Sequence, residues 1–141
     1  MKVEDASEFF DERFEVDIDN IEGLELEKIS GDFWLVSEKE DRDIDSETRG
    51  IRALRDTGKF LKPTTYALQL LSDEISRNNV ELDKEELKEI LDGEMVPAEA
   101  SEEGYVAIVF EGKVVGCGLY KDEVVSSRIS KGRGEELLSF L

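Results

Sequence analysis

Apolar residues recur along the chain with two spacings, and each spacing predicts one kind of secondary structure. Apolar residues three and four positions apart share one face of a helix, whereas alternating apolar and polar residues are typical of a half-buried strand. The helical spacing predicts helices over residues 5–14, 64–76, 83–93 and 134–141. The strand pattern predicts strands over residues 24–29, 33–36, 50–56, 105–110, 113–121 and 123–129. Helices and strands do not alternate regularly, which predicts an α+β fold.

Capping and turn signals support several of these boundaries. Asp83 and Glu86 have the spacing of a capping box, and Gly93 is the residue expected to end that helix. Pro63 precedes a helix with one predicted apolar face. That face consists of Tyr66, Ala67, Leu70, Leu71 and Ile75. The almost wholly charged stretch from Ser37 to Thr48 predicts an exposed loop.

The charge of the chain is strongly acidic but uneven. The formal net charge is −18, with −13 in residues 1–48, +4 in residues 49–62, −9 in residues 63–103 and balance in residues 104–141. A well-solvated surface explains such acidity, and adaptation to a high-salt cytoplasm or binding of a basic partner are further interpretations. No apolar run approaches the roughly 18 residues of a membrane span. Since the N-terminus is acidic, we expect a cytoplasmic protein without a signal peptide.

Residue types that common catalytic and metal sites need are missing from the sequence. The chain has no histidine, which excludes histidine-based catalysis and imidazole metal ligands. Acidic stretches beginning at Asp17 and Asp41 lack the glycine and the final glutamate of a calcium loop. The only cysteine, Cys117, lies between Gly116 and Gly118 in a predicted strand, where glycine indicates a bulge or close backbone packing. We therefore expect no enzymatic activity, no cofactor and no metal site.

One part of the sequence has the order of segments of a known RNA-binding domain. The predicted helix before Gly93 leads to an apolar strand, and residues 104–110 form the next strand before a turn at Gly112 and the Gly-Cys-Gly motif at 116–118. This order is similar to that of a PUA domain. Three further segments resemble the C-terminal RNA-binding tail of the Sun-type RNA cytosine-C5 methyltransferases. They are residues 50–54, 58–65 and 128–131.

The resemblance implies a small N-terminal α/β lobe at residues 1–62, followed by a PUA-like mixed β-barrel with peripheral helices at residues 63–141. It also implies RNA binding and adds Gly93 to the candidate RNA-binding residues. The chain lacks the methyltransferase body, with its cofactor-binding fold and pair of catalytic cysteines, and Ser130 stands where the family usually has proline. The net charge also opposes RNA affinity, which comes mainly from lysine and arginine contacts to phosphates.

Lysine and arginine residues concentrate in two groups, which are the candidates for an RNA-binding surface. The first group consists of Arg49, Arg52, Arg55, Lys59 and Lys62. The second group consists of Lys113, Lys121, Arg128, Lys131 and Arg133, with Tyr120 as a face on which an unpaired base can stack. On a regular strand, Arg49 and Arg55 point together and Arg52 points away. The groups form one basic patch if they meet in space; otherwise they only balance neighbouring carboxylates.

Two function hypotheses follow from these patterns. The first is a stand-alone, non-catalytic module that binds structured RNA, ribosomal or transfer, in ribosome assembly or RNA modification. The second is an adaptor whose acidic N-terminal half binds a ribosomal protein or a separately encoded RNA-modifying enzyme. The two hypotheses place the functional surface differently, since RNA needs the basic groups and a basic protein needs the carboxylates.

Overall fold

The computed structural model describes residues 1–37 and 50–141, which form an α+β fold with two β-sheets. The helices are α1 (Val3–Phe14), α2 (Thr65–Leu70), α3 (Lys84–Leu91) and α4 (Lys131–Ser139). The strands are β1 (Leu24–Ile29), β2 (Asp32–Ser37), β3 (Gly50–Asp56), β4 (Leu61–Pro63), β5 (Asn79–Glu81), β6 (Val96–Pro97), β7 (Gly104–Phe110), β8 (Lys113–Lys121) and β9 (Val124–Ser127). The predicted fold class is confirmed. Beyond Ser37, the predicted charged loop lies outside the described residues.

The first sheet has the order β1-β2-β3-β4, and each strand is antiparallel to its neighbour. Helix α1 covers this sheet, and the aromatic side chains of both elements build the first core. Phe10, Phe14 and Phe33 are fully buried there, while Phe9 is only partly buried. Since burial of a phenylalanine side chain contributes about 1.5–3 kcal/mol, these rings are a principal source of stability for this half of the molecule.

The second sheet has the order β5-β7-β8-β9-β6, in which β5 is parallel to β7 and the other pairs are antiparallel. Helix α3 covers it and buries Leu87 and Ile90 in the second core. The predicted capping box is present, because the Glu86 backbone N–H donates to the Asp83 carboxylate and the Asp83 N–H donates to the Glu86 carboxylate. Gly93 follows α3 with a φ of +98°, a conformation that glycine adopts without strain.

Helix α2 is shorter than the predicted helix over residues 64–76, and only part of the predicted apolar face is buried. It ends at Leu70 and contacts both β3 and β8, so its buried face is the one that lies between the two sheets. Ala67 and Leu68 are on that face, whereas Tyr66 and Leu70 are exposed. The prediction that Tyr66 and Leu70 belong to the core is therefore wrong.

Gly116 allows the chain after β9 to pack directly on β8. A methyl group on Gly116 would lie 2.3 Å from Cγ1 of Ile129 and 2.4 Å from its Cδ1. A methyl group on Gly118 would meet three neighbouring atoms at 2.9–3.0 Å. Strand β8 also carries a bulge at Val115 in its pairing with β7. The prediction that these glycines mark a bulge and close backbone packing is confirmed.

Two polar side chains join α1 to the second sheet. The Arg13 guanidinium donates hydrogen bonds of 2.6–3.0 Å to the carbonyls of Glu102, Glu103 and Tyr105. The buried Asn78 side chain donates to the Arg13 carbonyl at 2.7 Å and accepts from the Glu102 N–H at 3.1 Å.

The predicted domain boundary between residues 62 and 63 stays a prediction. The first core includes residues on both sides of that boundary. Across the described ranges, each helix is too short or too polar to span a membrane.

Candidate nucleic-acid interface

A groove of about 390 Å³ lies where β3, β4 and the start of α2 face the segment that joins β9 to α4. We call it the basic groove. Five basic side chains line it, and none of the described residues that line it is acidic. They are Arg52, Arg55, Lys62, Arg128 and Arg133. Members of the two basic groups therefore lie together in space, although they are far apart in the sequence.

A β-bulge in β3 places Arg52 and Arg55 on the same side. Phe33 of β2 pairs with Leu54 and Trp34 pairs with Arg52, so Ala53 is an extra residue in β3. Ala53 and Leu54 are consecutive and both buried, whereas successive side chains of a regular strand point to opposite faces. A bulge produces this local departure from alternation. The prediction that Arg52 points away from Arg55 is wrong, because it assumed a regular strand.

Arg55 and Lys62 are direct partners across β3 and β4, and both line the groove. Like charges in directly opposite positions of an antiparallel pair destabilise a sheet, by an amount on the order of 0.2–1 kcal/mol. Neither side chain forms an ion pair with another described residue. This pair does not stabilise the fold, so stability does not explain why two bases occupy opposite positions. A bound polyanion would neutralise both charges.

Substitution Lys62→Glu is expected to raise the free energy of unfolding by about 1 kcal/mol, because it replaces the repulsion with Arg55 by attraction. For a chain of this length, that corresponds to roughly 3–4 °C in melting temperature. Thermal melting in 20 mM and 1 M potassium chloride checks this, since salt should remove the gain. Lys59→Glu, in the exposed turn before β4, makes the same change in charge and is the control. A melting temperature for Lys62→Glu at or below that of the parent contradicts the repulsion.

Arg52 is held on one side of the groove by weak surface interactions. Its guanidinium carbon lies 5.5 Å from the centre of the Trp34 ring, and its Nε lies 3.5 Å from a carboxylate oxygen of Asp32. Exposed ion pairs of this kind contribute about 0–1 kcal/mol. The carbonyl of Arg52 also accepts a hydrogen bond from the Thr64 hydroxyl, which in turn caps α2. Arg52 is thus positioned without being neutralised by a strong partner.

The opposite side of the groove is a short segment fixed on β8. The Arg128 N–H donates a 2.8 Å hydrogen bond to the Cys117 carbonyl, and Ile129 packs against Gly116. The Ser130 hydroxyl accepts from the Arg133 N–H and caps α4. The Arg133 guanidinium pairs with Glu136 through Nη1 at 3.2 Å, while its buried Nε has no hydrogen-bond acceptor among the described residues.

Aromatic side chains in the groove differ from the one predicted. Tyr120 is only 8% exposed and belongs to the second core, so its ring is not available for stacking and that prediction is wrong. Tyr66 lines the groove and is 60% exposed, and Trp34 lines it as well. Neither residue is among the RNA-binding candidates predicted from the sequence. The sequence pattern placed Tyr66 on the apolar face of a helix and gave Trp34, in its strand, no function. A ring beside several guanidinium groups offers a stacking face for a base.

Five further predicted residues lie outside the groove. Lys59 is exposed in the turn before β4, Lys131 is exposed at the start of α4, and Gly93 follows α3. Lys113 and Lys121 are at opposite ends of β8, and Lys113 lies 3.4 Å from Asp73. Arg49 lies outside the described residues. A role of these six residues in RNA binding stays a prediction.

Cys117 lies beneath this surface and has no catalytic character. Burial raises the pKa of its thiol to about 12, although the positive charges of Lys62 and Arg128 oppose that shift. A thiol with such a pKa is protonated at neutral pH, and the thiolate is the nucleophilic form. The prediction that Cys117 is a small buried residue is confirmed.

Comparison with known families matches residues 77–133 to the family described as the methyltransferase RsmF PUA domain. The matched range runs from just before β5 into the first turn of α4, so it includes the Arg128–Arg133 side of the basic groove. The other side, with Arg52, Arg55 and Lys62, precedes the matched range. No curated protein matches the chain.

Proposed function

Because the chain carries a PUA-type domain that resembles the tails of Sun-type RNA methyltransferases, we propose that it is a non-catalytic module that binds structured RNA. RNA binding is the role that this domain type indicates, and the matched family is not a catalytic one. The basic groove is the surface that we assign to RNA. We further propose that the ligand is ribosomal or transfer RNA and that the protein acts in RNA modification or ribosome assembly.

The observation that carries the proposal is the local charge of the groove. Five bases line one surface of a chain whose net charge is −18, and within residues 1–37 and 50–141 no carboxylate lines that surface. Two of them, Arg55 and Lys62, repel each other across neighbouring strands. Phosphates of an RNA backbone would neutralise these charges and release their counterions, which is the main source of affinity in such complexes.

The shape of the groove favours RNA with unpaired nucleotides over a regular duplex. Tyr66 presents an exposed ring in the groove that Lys62 also lines, and the Thr65 hydroxyl lies in the same groove. Bases that are splayed out of a helix stack on aromatic or guanidinium planes, and hydroxyl groups provide further hydrogen bonds. Loops and bulges of folded RNA contain such bases next to closely spaced phosphates.

Fluorescence anisotropy with a labelled transfer RNA and a labelled ribosomal hairpin tests the proposal, with duplex DNA of equal length as control. The logarithm of the affinity is expected to fall with the logarithm of salt concentration with a slope of about −4, since each of five phosphate contacts releases about 0.7–0.9 counterions. We expect both RNAs to bind at least tenfold more tightly than the DNA. Equal affinities would identify general polyanion binding and contradict an RNA-specific role.

The adaptor hypothesis remains separate from this proposal. It requires a surface for a basic protein, and the basic groove has the wrong sign of charge for that purpose. Sequencing of RNA crosslinked to the protein in cells would identify the RNA ligand.

A further inference from the structure

A second and larger groove, of about 640 Å³, lies between α1, the turn before β4 and the adjoining parts of β7 and β8. Its floor is apolar and is formed by Phe9, Phe60, Leu61, Tyr105 and Leu119. Phe60 is 48% exposed, and its ring centre lies 6.0 Å from that of Tyr105. We call it the acidic-rimmed groove because of the side chains around this floor.

Carboxylates form the rim of the groove. Asp5, Glu8 and Glu12 follow one face of α1, and Glu103 lies on the opposite side. Residues 5 to 12 of a helix span about 10 Å along its axis. The three α1 carboxylates are therefore spread in a row along the groove and are not gathered at one position. Within residues 1–37 and 50–141, neither Glu8 nor Glu12 forms an ion pair with a base.

Glu8 and Glu12 are also unfavourably close to each other. A hydrogen bond with the Glu8 side chain and the charge of Glu8 raise the pKa of Glu12 above its ordinary value. Arg13 is the only basic side chain among the described residues that line the groove. It does not relieve this repulsion through direct pairing, since its N–H groups donate to the carbonyls of Glu102, Glu103 and Tyr105. A cation brought by a ligand would therefore meet the Glu8 and Glu12 carboxylates, which repel each other and form no ion pair with a described base.

We propose that the acidic-rimmed groove docks a basic amphipathic segment of a partner protein. Apolar side chains of the segment pack on Phe60 and Tyr105, and its lysines or arginines pair with the row of carboxylates on α1. Apolar anchors surrounded by complementary charges are the usual composition of a groove that receives a helical segment. RNA is excluded as the occupant, because the rim repels phosphates. The proposal is independent of RNA binding, since it uses no residue of the basic groove.

The probe is a fluorescein-labelled helical peptide of 14 leucines and lysines with the leucines on one face. A scrambled peptide of the same composition tests the need for an apolar face, and a leucine–glutamate peptide tests the sign of charge. Binding is measured by anisotropy in 50 mM salt. We expect at least tenfold weaker binding of the scrambled peptide and no measurable binding of the acidic one.

Two variants locate the site. Phe60→Ala removes an exposed ring from the floor, and Glu8→Lys with Glu12→Lys reverses two exposed charges on the rim; each is expected to weaken peptide binding at least tenfold. Glu85→Lys with Glu89→Lys is the matched control, because these exposed residues on α3 have the same spacing and undergo the same change. Circular dichroism verifies that each variant is folded. Binding that is equal for the scrambled peptide, insensitive to Phe60→Ala or equally reduced in the α3 control overturns the proposal.

Discussion

Reversal of two charges in the basic groove, Arg55→Glu with Arg128→Glu, is expected to weaken RNA binding at least tenfold in about 0.1 M salt. The two residues come from opposite sides of the groove, and both are exposed. Each contributes sequence-independent affinity through a phosphate, so the slope of affinity against salt should also fall by nearly two units. The melting temperature should not fall, because neither side chain forms an ion pair with a described residue and Arg55→Glu also replaces the repulsion from Lys62 by attraction.

Lys113→Glu with Lys121→Glu is the control for this experiment. It makes the same change in net charge at the two ends of β8, outside the groove. If the groove binds RNA, the control retains most of the affinity of the parent. If both double variants lose affinity equally, RNA responds only to the overall charge of the protein and the assignment of the groove is wrong. If neither loses affinity, RNA binds elsewhere.

The second large effect is expected from Gly116→Ala. The added methyl group would lie 2.3 Å from a carbon of Ile129, and relief of such overpacking costs about 1–3 kcal/mol. We expect the melting temperature to fall by roughly 3–10 °C. Because the displaced segment carries Arg128, RNA affinity should fall as well. Thermal melting and the anisotropy assay measure the two effects on the same preparation.

A second substitution tests whether the contact with Ile129 is the cause. Ile129→Ala removes the carbons that would meet the methyl group, so the double variant should be more stable than the sum of the two single losses predicts. Strictly additive losses would contradict the proposed clash. Gly132→Ala in α4 is the matched control, because no atom lies within 4 Å of the added methyl group and alanine favours a helix.

Elements with strong local chemistry could be predicted from the sequence. Asp83 and Glu86 form the predicted capping box, and the three long strands near the C-terminus are present with small shifts at their ends. The short strands β4 and β5 were not predicted, because segments of three residues show no period, whereas β6 corresponds to the apolar strand expected after Gly93. All three form only because a neighbouring strand supplies their hydrogen bonds.

The composition of the basic groove could be predicted only in part, for a physical reason. The sequence identifies basic residues but not the register of the strands that carry them. The bulge at Ala53 reverses the expected direction of Arg52, and the face of β8 that enters the second core buries Tyr120. Tyr66 became a groove residue because α2 buries Ala67 and Leu68 between the sheets and leaves the Tyr66 ring exposed. A strand or helix acquires a definite face only through its tertiary partners.

Strand β4 gives the two proposed surfaces a thermodynamic connection. Leu61 lines the acidic-rimmed groove and Lys62, the next residue, lines the basic groove, so their Cα atoms are about 3.8 Å apart. Charges bound on the two sides fall within reach of one another, since the Debye length at 0.1 M salt is about 10 Å. An RNA in one groove and a basic segment in the other attract, so each should raise the affinity for the other by the same factor. With both grooves occupied as we propose, the protein would act as a heterotropic coupler that links an RNA and a basic segment of a partner protein across the three residues of β4.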